Sequence, residues 1–276
     1  MPLRTANGTV YERFGPKAAP TIVFLHGLGL NRHAWQWQIP VLATDYQAVC
    51  YDLFGHGQSA DPPAPPSLQL FSTQLADLLD HCGLAQVALV GFSLGGMIAR
   101  RFVQDHPDRA VAMAVLHSPH TRSAAAQAAI MARVQAARLA GPAATVEAAL
   151  ERWFTEPYRV ANPQQMDLVR GWVTANAPAI YHQIYQVLAD GVAEIVAPEP
   201  ALRLPTLVIT GDEDFGNGPK MAAAIADEIA GAQLLILKGL RHMALAEDPA
   251  AIYQPLRAFF RQVFNGDDGD STSGRL

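Results

Sequence analysis

The chain has 276 residues, half of them hydrophobic, which suffices to bury the core of one large domain or of one domain carrying an insertion. Twenty Lys and Arg stand against 25 Asp and Glu, giving a net charge of -5 with no dense basic run. This balance disfavours nucleic acid and anionic membrane surfaces as partners, so we expect a small-molecule substrate.

Short β-rich runs alternate with helical patterns along much of the chain. Asn7-Gly8 between extended segments predicts a hairpin. The strands predicted beyond it are residues 21–25, 48–51, 87–90, 111–117, 206–210 and 234–237. Helices are predicted from Ser67 to His81 and from Gly95 to Asp105. The alternation predicts an α/β protein with a mostly parallel central sheet flanked by helices.

Residues 118–204 interrupt the alternation with long Ala-rich helical patterns, such as Ser123 to Ala140 and Thr145 to Phe154. Because the sheet resumes at Pro205, the insertion leaves and returns at one sheet edge, where we expect a helical cap that shapes a pocket. A helical subdomain that only stabilises is the alternative. The α/β core is then 1–117 and 205–264. Residues 265–276, rich in Gly, Asp and Ser, are expected to form a disordered tail.

The cysteines and the N-terminal residues bear on the compartment. Cys50 and Cys82 have the pattern of small buried hydrophobic residues, so no disulfide framework is expected. Residues 1–8 lack the charged and apolar blocks of a secretory signal, and the apolar run 21–25 is too short to cross a bilayer. We therefore expect a cytoplasmic protein without membrane contact.

The segment Gly91-Phe92-Ser93-Leu94-Gly95 joins an apolar strand pattern to a helical one. A serine at such a sharp turn adopts a strained backbone conformation, which is tolerable when nearly side-chain-free residues flank it. Its hydroxyl then projects above the end of the sheet. The pattern predicts that Ser93 is a nucleophile.

An acid and a base follow later strands at the same sheet edge. Asp214 lies in an acidic loop after the strand that ends at Thr210, and we assign it the role of orienting a histidine; Asp212 is the alternative. His242 follows the next predicted strand and is the only one of nine histidines that comes after this acid. It is the predicted general base.

The loop His26-Gly27-Leu28-Gly29 follows the strand 21–25 at this edge. A developing oxyanion needs two fixed N–H donors, and the backbone amides of Leu28 and Leu94 are the predicted pair. His26 is expected to hold its loop by hydrogen bonds and not to act in catalysis.

These motifs give the chain a family resemblance. It resembles an α/β-hydrolase-fold serine hydrolase over nearly its full length, through residues 26–27, 52–59, 91–96, 214 and 242. It is similar in more detail to 3-oxoadipate enol-lactonases, through residues 26–29, 132–134, 150–155 and 204–208. This second resemblance implies hydrolysis of a small carboxylate-bearing lactone from aromatic degradation. Where such enzymes carry a Thr-Pro-Pro-like stretch after the acid, this chain has residues 215–219, Phe-Gly-Asn-Gly-Pro.

Several residues are candidates for the substrate pocket. Arg133 stands where the lactonase pattern has an arginine, and Trp153 belongs to the matching cap segment. His120 follows a predicted strand closely, as does His117. Arg138 and Arg152 could also pair with a substrate carboxylate, because a planar guanidinium suits that task. We take Arg133, Trp153 and His120 as the predicted substrate-binding residues.

The leading hypothesis is a serine hydrolase that cleaves a small carboxylic ester or lactone through an acyl-enzyme, without metal or organic cofactor. Alternatives on the same scaffold are hydrolysis of a C–C bond in a ring-cleavage product and cofactor-free peroxide chemistry. A dehalogenase is disfavoured because it needs a carboxylate nucleophile where this chain has Ser93. A ligand-binding protein is the non-enzymatic alternative, and the complete set of three catalytic groups disfavours it. Homo-oligomer formation stays open.

Overall fold

Eight strands pair into one sheet in the computed structural model, which describes residues 1–266. The strands are β1 Leu3–Arg4, β2 Val10–Phe14, β3 Thr21–Leu25, β4 Gln47–Tyr51, β5 Val87–Phe92, β6 Ala110–Leu116, β7 Thr206–Gly211 and β8 Gln233–Leu237. Their order across the sheet is β1-β2-β4-β3-β5-β6-β7-β8. The two pairs that involve β2 are antiparallel and the other five are parallel. The predicted hairpin and mostly parallel sheet are confirmed.

Helices cover the sheet and fill the connections between strands. They are α1 Ile39–Leu42, α2 Leu68–Cys82, α3 Leu94–Asp105, α4 Ala124–Ala140, α5 Ala143–Trp153, α6 Glu156–Ala161, α7 Pro163–Thr174, α8 Pro178–Asp190, α9 Pro219–Asp227, α10 Ala244–Glu247 and α11 Pro249–Asn265. The ends of α2 show why helices form where the sequence predicts them. The Ser67 side chain accepts a hydrogen bond from the Leu70 amide, and Gly83 closes the helix with a positive φ of 66°.

The helices α4 to α8 all lie between β6 and β7, within the residues 118–204 for which a cap is predicted. α4 packs against α8 and α5, and α5 packs against α7. At the other end of the chain, α11 extends to Asn265, one residue into the predicted tail, and residues 267–276 lie outside the described residues.

The central strands are buried over their whole length, as expected for a parallel sheet covered on both faces. Their apolar side chains pack with Trp35, whose ring lies 5.2 Å from that of Phe24 and 6.5 Å from that of Phe92. Cys50 is buried in β4. Within residues 1–266, no helix has the length and apolarity needed to cross a membrane.

The predicted strand 111–117 ends one residue early, at Leu116. His117 adopts a φ of 48°, which is incompatible with an extended strand and turns the chain out of the sheet. Parallel strands end at a common edge, so β5, β6 and β7 deliver Ser93, His117 and the loop after Gly211 side by side.

Candidate active site

Ser93 lies at the turn between β5 and α3 with φ 55° and ψ -114°, a conformation that a residue with a side chain rarely adopts. Its amide donates to the Leu116 carbonyl at 2.8 Å, and its own carbonyl accepts from the Ser118 hydroxyl at 2.9 Å. These bonds to the neighbouring strand end hold the strained turn. The structure therefore places Ser93 in the conformation predicted from its flanking glycines.

The glycines around Ser93 allow two backbone segments to come unusually close. A Cβ on Gly91 would lie 2.4 Å from the Gly95 carbonyl oxygen. A Cβ on Gly95 would lie 2.2 Å from the Leu25 carbonyl oxygen, where β3 ends. No side chain fits at these distances, so the turn requires glycine at both positions.

Asp214 and His242 are hydrogen-bonded to one another across the ends of β7 and β8. Asp214 Oδ2 lies 2.7 Å from His242 Nδ1, and the Asp214 side chain is 2% exposed. Its Oδ1 accepts from the amides of Gly216 and Asn217, each at 3.0 Å. The loop 215–219, which differs in sequence from the Thr-Pro-Pro-like stretch of enol-lactonases, thus fixes the carboxylate through two backbone donors.

A second histidine contacts the same carboxylate. His117 Nδ1 lies 3.0 Å from Asp214 Oδ2, and the His117 amide and carbonyl are bonded to Ile209 and Asn217. An ionised carboxylate offers about four lone-pair sites, and two amides with two imidazoles fill all of them. Asp214 is therefore saturated with donors and held in one orientation.

These contacts determine the charge of the acid. Burial on its own would raise the pKa of the Asp214 carboxyl, but the attraction of His242 and the hydrogen bonds from both histidines hold that pKa well below its usual range. Burial lowers the pKa of His117, although its contacts with Asp214 oppose that shift. Asp214 is ionised near neutral pH, whereas His117 is a neutral donor.

The other two acids of this loop face elsewhere. Asp212 accepts from the Gly239 amide at 2.8 Å and pairs with Lys238 at 3.3 Å. Glu213 pairs with Arg241 at 3.4 Å. Of the two acids that the sequence left open, the structure brings Asp214 and not Asp212 to His242.

The two predicted oxyanion donors border Ser93 on either side. A Cβ on Gly27 would lie 3.2 Å from the Ser93 Cβ, so the loop after β3 runs directly against the serine. Within residues 1–266, the amides of Leu28 and Leu94 donate to no other protein group. Two unused N–H groups beside a nucleophile have the arrangement that stabilises a developing oxyanion.

His26 and His56 hold this loop from behind. His26 Nδ1 lies 2.8 Å from the Gly27 carbonyl, and its Nε2 accepts from the Leu53 amide at 3.0 Å. His56 Nε2 accepts from the Gly29 amide at 3.0 Å. Burial lowers the pKa of His26 to about 4 and that of His56 to about 3. Both rings are neutral and bonded to backbone, as expected for His26.

Ser93, Asp214 and His242 all line one cavity of about 90 Å³, which residues of α4, α5 and α8 also line. A buried water needs roughly 10–15 Å³, so the cavity holds roughly six to nine water-sized groups. Its remaining lining residues are Gly27, Leu28, Leu30, Phe92, Arg122, Ile130, Arg133, Thr145, Ala149, Arg152, Trp153, Tyr181, Tyr185, Leu188, Gly216 and Asn217. The cavity therefore suits a small molecule.

Two of the three predicted substrate-binding residues line the cavity and the third does not. Arg133 and Trp153 line the cavity, and the Trp153 ring lies 5.9 Å from that of His242. His120 does not line it, because its Nε2 is bonded to Glu228 at 2.9 Å and its backbone amide contacts Met221. The structure therefore does not bring His120 to the cavity: the chain turns at His117 and carries His120 toward α9. Arg138 is exposed at the end of α4, whereas Arg152 lines the cavity.

Among the described residues, His117, Asp214 and His242 form the one group of three metal-ligating side chains whose ligand atoms lie within 4.8 Å of one another. Both imidazole nitrogens point at the same carboxylate oxygen at hydrogen-bond distances. A transition metal needs about 2.0–2.2 Å to each ligand atom, so these contacts would have to rearrange around it. The arrangement present is that of a carboxylate orienting imidazoles.

Comparison with known proteins places this geometry in a family. The family described as alpha/beta hydrolase fold matches residues 20–249, most of the chain. The chain belongs to the α/β-hydrolase fold family. The predicted fold class and the predicted enzyme class, a hydrolase, are thereby confirmed.

Three relatives show how far the similarity extends. The (E)-2-((N-methylformamido)methylene)succinate hydrolase of Acinetobacter baylyi is 26% identical over 93% of this chain and 96% of its own. The 3-oxoadipate enol-lactonase 2 of the same organism is 27% identical over 91% and 92%. The solved enol-lactonase of Burkholderia xenovorans LB400 superposes with a TM-score of 0.85 at 26% identity, over 92% of this chain and 97% of its own. The predicted resemblance to enol-lactonases is confirmed.

Sequence reasoning missed several residues of this α/β-hydrolase site. Arg122, Tyr181 and Tyr185 line the cavity from the cap, and Asn217 links Asp214 to the His117 carbonyl. For Tyr181 and Tyr185, the helical pattern gives a face of α8 but not the partner against which it packs, and Arg122 and Asn217 lie in loops without a pattern of their own. For His117, the sequence offered one signal of a role at the site, namely its position directly after a predicted strand.

Proposed function

We propose that this α/β hydrolase cleaves a small carboxylic ester or lactone through an acyl-enzyme on Ser93. The observation that carries the proposal is the convergence of a strained serine, a buried histidine and an ionised aspartate on one small cavity. Two free backbone amides beside the serine complete the groups that acyl transfer requires.

His242 takes the proton from the Ser93 hydroxyl as the oxygen attacks the substrate carbonyl. Asp214 keeps the His242 proton on Nδ1, which leaves Nε2 free to act as base, and stabilises the imidazolium that forms. The amides of Leu28 and Leu94 bind the oxyanion of the tetrahedral intermediate. Collapse breaks the C–O bond, and the leaving oxygen takes the proton back from His242. A water deprotonated by His242 then attacks the acyl-enzyme and releases the acid.

The substrate we propose is a lactone or ester that bears a carboxylate, with 3-oxoadipate enol-lactone as the first candidate. Two relatives similar over most of the chain are named as enol-lactonases, and a third is named as a hydrolase of a succinate derivative. Arginines among the cavity-lining residues support an anionic substrate, and the cavity volume supports a small one.

Turnover of a substrate panel tests this function. The panel contains p-nitrophenyl acetate, 3-oxoadipate enol-lactone and a dienone ring-cleavage product. We expect the lactone to have the highest kcat/KM and Ser93→Ala to lower kcat by about a millionfold. Ser72→Ala removes another buried serine hydroxyl, in α2 away from the cavity, and should leave turnover unchanged.

Other results would redirect the proposal. Preference for the dienone would indicate C–C bond hydrolysis, and halide-dependent peroxide turnover would indicate oxidative chemistry. Absence of turnover in the wild-type enzyme, together with saturable binding of the lactone, would indicate a ligand-binding protein.

A further inference from the structure

We infer that the substrate of this site is a dianion, with two carboxylates in addition to the ester or lactone bond that is cleaved. The identity of the cleaved bond rests on the proposed function. The number of carboxylates is inferred from the charges of the residues that line the cavity. 3-Oxoadipate enol-lactone carries one carboxylate besides its lactone bond, so the inference predicts that an ester or lactone with a second carboxylate binds more tightly than this first candidate.

The cavity lining carries an excess of positive charge. Arg122, Arg133 and Arg152 all line it, and Asp214 is its single acidic residue among those that the structure describes. Asp214 is already bonded to two histidines and two amides. Three arginines against one carboxylate leave two positive charges of the lining without a counter-charge, so a ligand that carries two negative charges balances them.

The three cavity arginines are half-buried, and they differ from the two buried arginines of the described residues in lacking a carboxylate partner. Arg32 pairs with Asp52 at 2.6 Å, and Arg100 pairs with Glu228 at 3.0 Å. Within residues 1–266, no carboxylate lies within 4.0 Å of the guanidinium of any cavity arginine. Charged groups that are partly withdrawn from water are ordinarily paired with an opposite charge. We therefore expect the ligand to supply the negative charges that pair with the cavity arginines.

The charges also act on one another. Burial and, to a lesser extent, the neighbouring charge of Arg133 lower the pKa of Arg122 to about 10. Burial and the charge of Arg133 lower the pKa of Arg152 in the same way. The positive charge of Arg133 therefore repels both of the other arginines. Bound carboxylates relieve this repulsion.

The hydrogen bonds already formed leave donors free for two carboxylates. Arg133 donates through Nε to the Tyr185 hydroxyl at 3.0 Å, and Arg152 donates through one terminal nitrogen to the Ala148 carbonyl. Arg122 donates through both terminal nitrogens to carbonyls at the end of α8. Arg133 and Arg152 therefore keep unbonded N–H groups, and we assign one carboxylate to each, with Arg122 supplying the third positive charge.

Binding to an inactive enzyme tests the charge separately from the chemistry. Ser93→Ala protein is titrated calorimetrically with glutarate, its monomethyl ester and its dimethyl ester, and the series is repeated with succinate and adipate. For at least one chain length, we expect binding to tighten tenfold or more from the dimethyl ester to the monomethyl ester, and tenfold or more again from the monomethyl ester to the diacid. Equal affinity of the diacid and the monoester at every chain length would overturn the inference.

Variants of two arginines locate the two carboxylates. In the Ser93→Ala background, Arg133→Gln and Arg152→Gln should each weaken diacid binding tenfold or more while leaving dimethyl ester binding unchanged. Arg138→Gln, on the exposed side of α4, is the matched control and should change neither. Equal losses for diacid and diester in the arginine variants would contradict the assignment. Because no turnover is measured, this result stands or falls independently of the substrate panel.

Discussion

Asp214 is the residue whose hydrogen bonds most directly define the active site, because it joins His242, His117 and the loop after β7. The sequence left Asp212 open as an alternative, and the two acids allow a matched comparison. Asp214→Asn replaces an acceptor by an amide that stabilises the wrong imidazole tautomer, and we expect kcat to fall by about 10⁴. Asp212→Asn should leave kcat within about twofold, measured on the same ester or lactone. Similar losses in both variants would contradict this assignment.

His117 is a positioning residue in this account, since it contacts Asp214 and does not line the cavity. His117→Phe keeps a ring but removes one donor from the carboxylate. The less satisfied carboxylate then attracts the imidazolium form of His242 more strongly, so we expect the acid limb of the kcat/KM profile to move to higher pH. We also expect kcat to fall about tenfold, the equivalent of roughly 1.4 kcal/mol, with KM unchanged.

His117→Asn is the control for that experiment, because its side-chain amide restores a donor. Recovery of the acid limb in this variant would support a positioning role. A purely structural role predicts instead that both variants lower the melting temperature while the pH profile of the remaining activity stays where it was.

At the scale of elements, the approach of α3 to β3 fixes the position of the nucleophile. Gly95→Ala places a Cβ against the Leu25 carbonyl, so we expect a loss of about 3 kcal/mol in the free energy of unfolding, with reduced activity as Ser93 shifts. Gly171→Ala, in the interior of α7, meets no atom within 4 Å. It should stabilise the protein by about 0.5–1 kcal/mol. Urea unfolding of both variants measures the difference, and equal effects would contradict the close approach.

The elements also show how far sequence could predict the site. Ser93 and His242 could be placed because each follows an apolar strand in a loop whose residue types are specific to their roles. The His117 contact with Asp214 could not, because it spans 97 positions and depends on β6 lying beside β7. Periodicity predicts strands but not their order in the sheet.

Which residues of the helices α4 to α8 line the cavity was the least predictable feature, for a related reason. The Ala-rich helix α4 has a weak apolar stripe, so the sequence indicates a helix without indicating which of its faces covers the cavity. Arg133 and Tyr185 come to the cavity from positions 52 residues apart, through packing of α4 against α8. His120 lies away from the cavity because the turn at His117 redirects the chain, and the sequence pattern gave no sign of that turn.

At the scale of the whole molecule, buried neutral histidines make stability depend on pH. The pKa is lowered to about 4 for His26 and about 3 for His56, below the unfolded value near 6.5. Between pH 6.5 and about 4 the unfolded chain binds protons at these positions while the native protein does not. Stability therefore falls as pH falls through that range, by roughly 1.4 kcal/mol per pH unit for each histidine.

Denaturant unfolding between pH 7 and 5 measures this slope, in a range where most carboxylates stay ionised. His26→Asn should reduce the slope of stability against pH by the contribution of one histidine, roughly 1.4 kcal/mol per pH unit, whatever its effect on stability at pH 7. His33→Asn, at an exposed histidine, should leave the slope unchanged. An unchanged slope in the His26 variant would contradict the neutral, backbone-bonded state of that ring.

The central claim is that Ser93 becomes covalently acylated, and the most direct measurement is the site at which the enzyme reacts with a fluorophosphonate. Such a reagent mimics the acyl transition state and leaves a stable adduct on an activated serine. Peptide mapping by mass spectrometry should find one phosphonyl group, on Ser93, with labelling greatly slowed in Asp214→Asn. An adduct on another residue, or undiminished turnover in Ser93→Ala, would contradict the account.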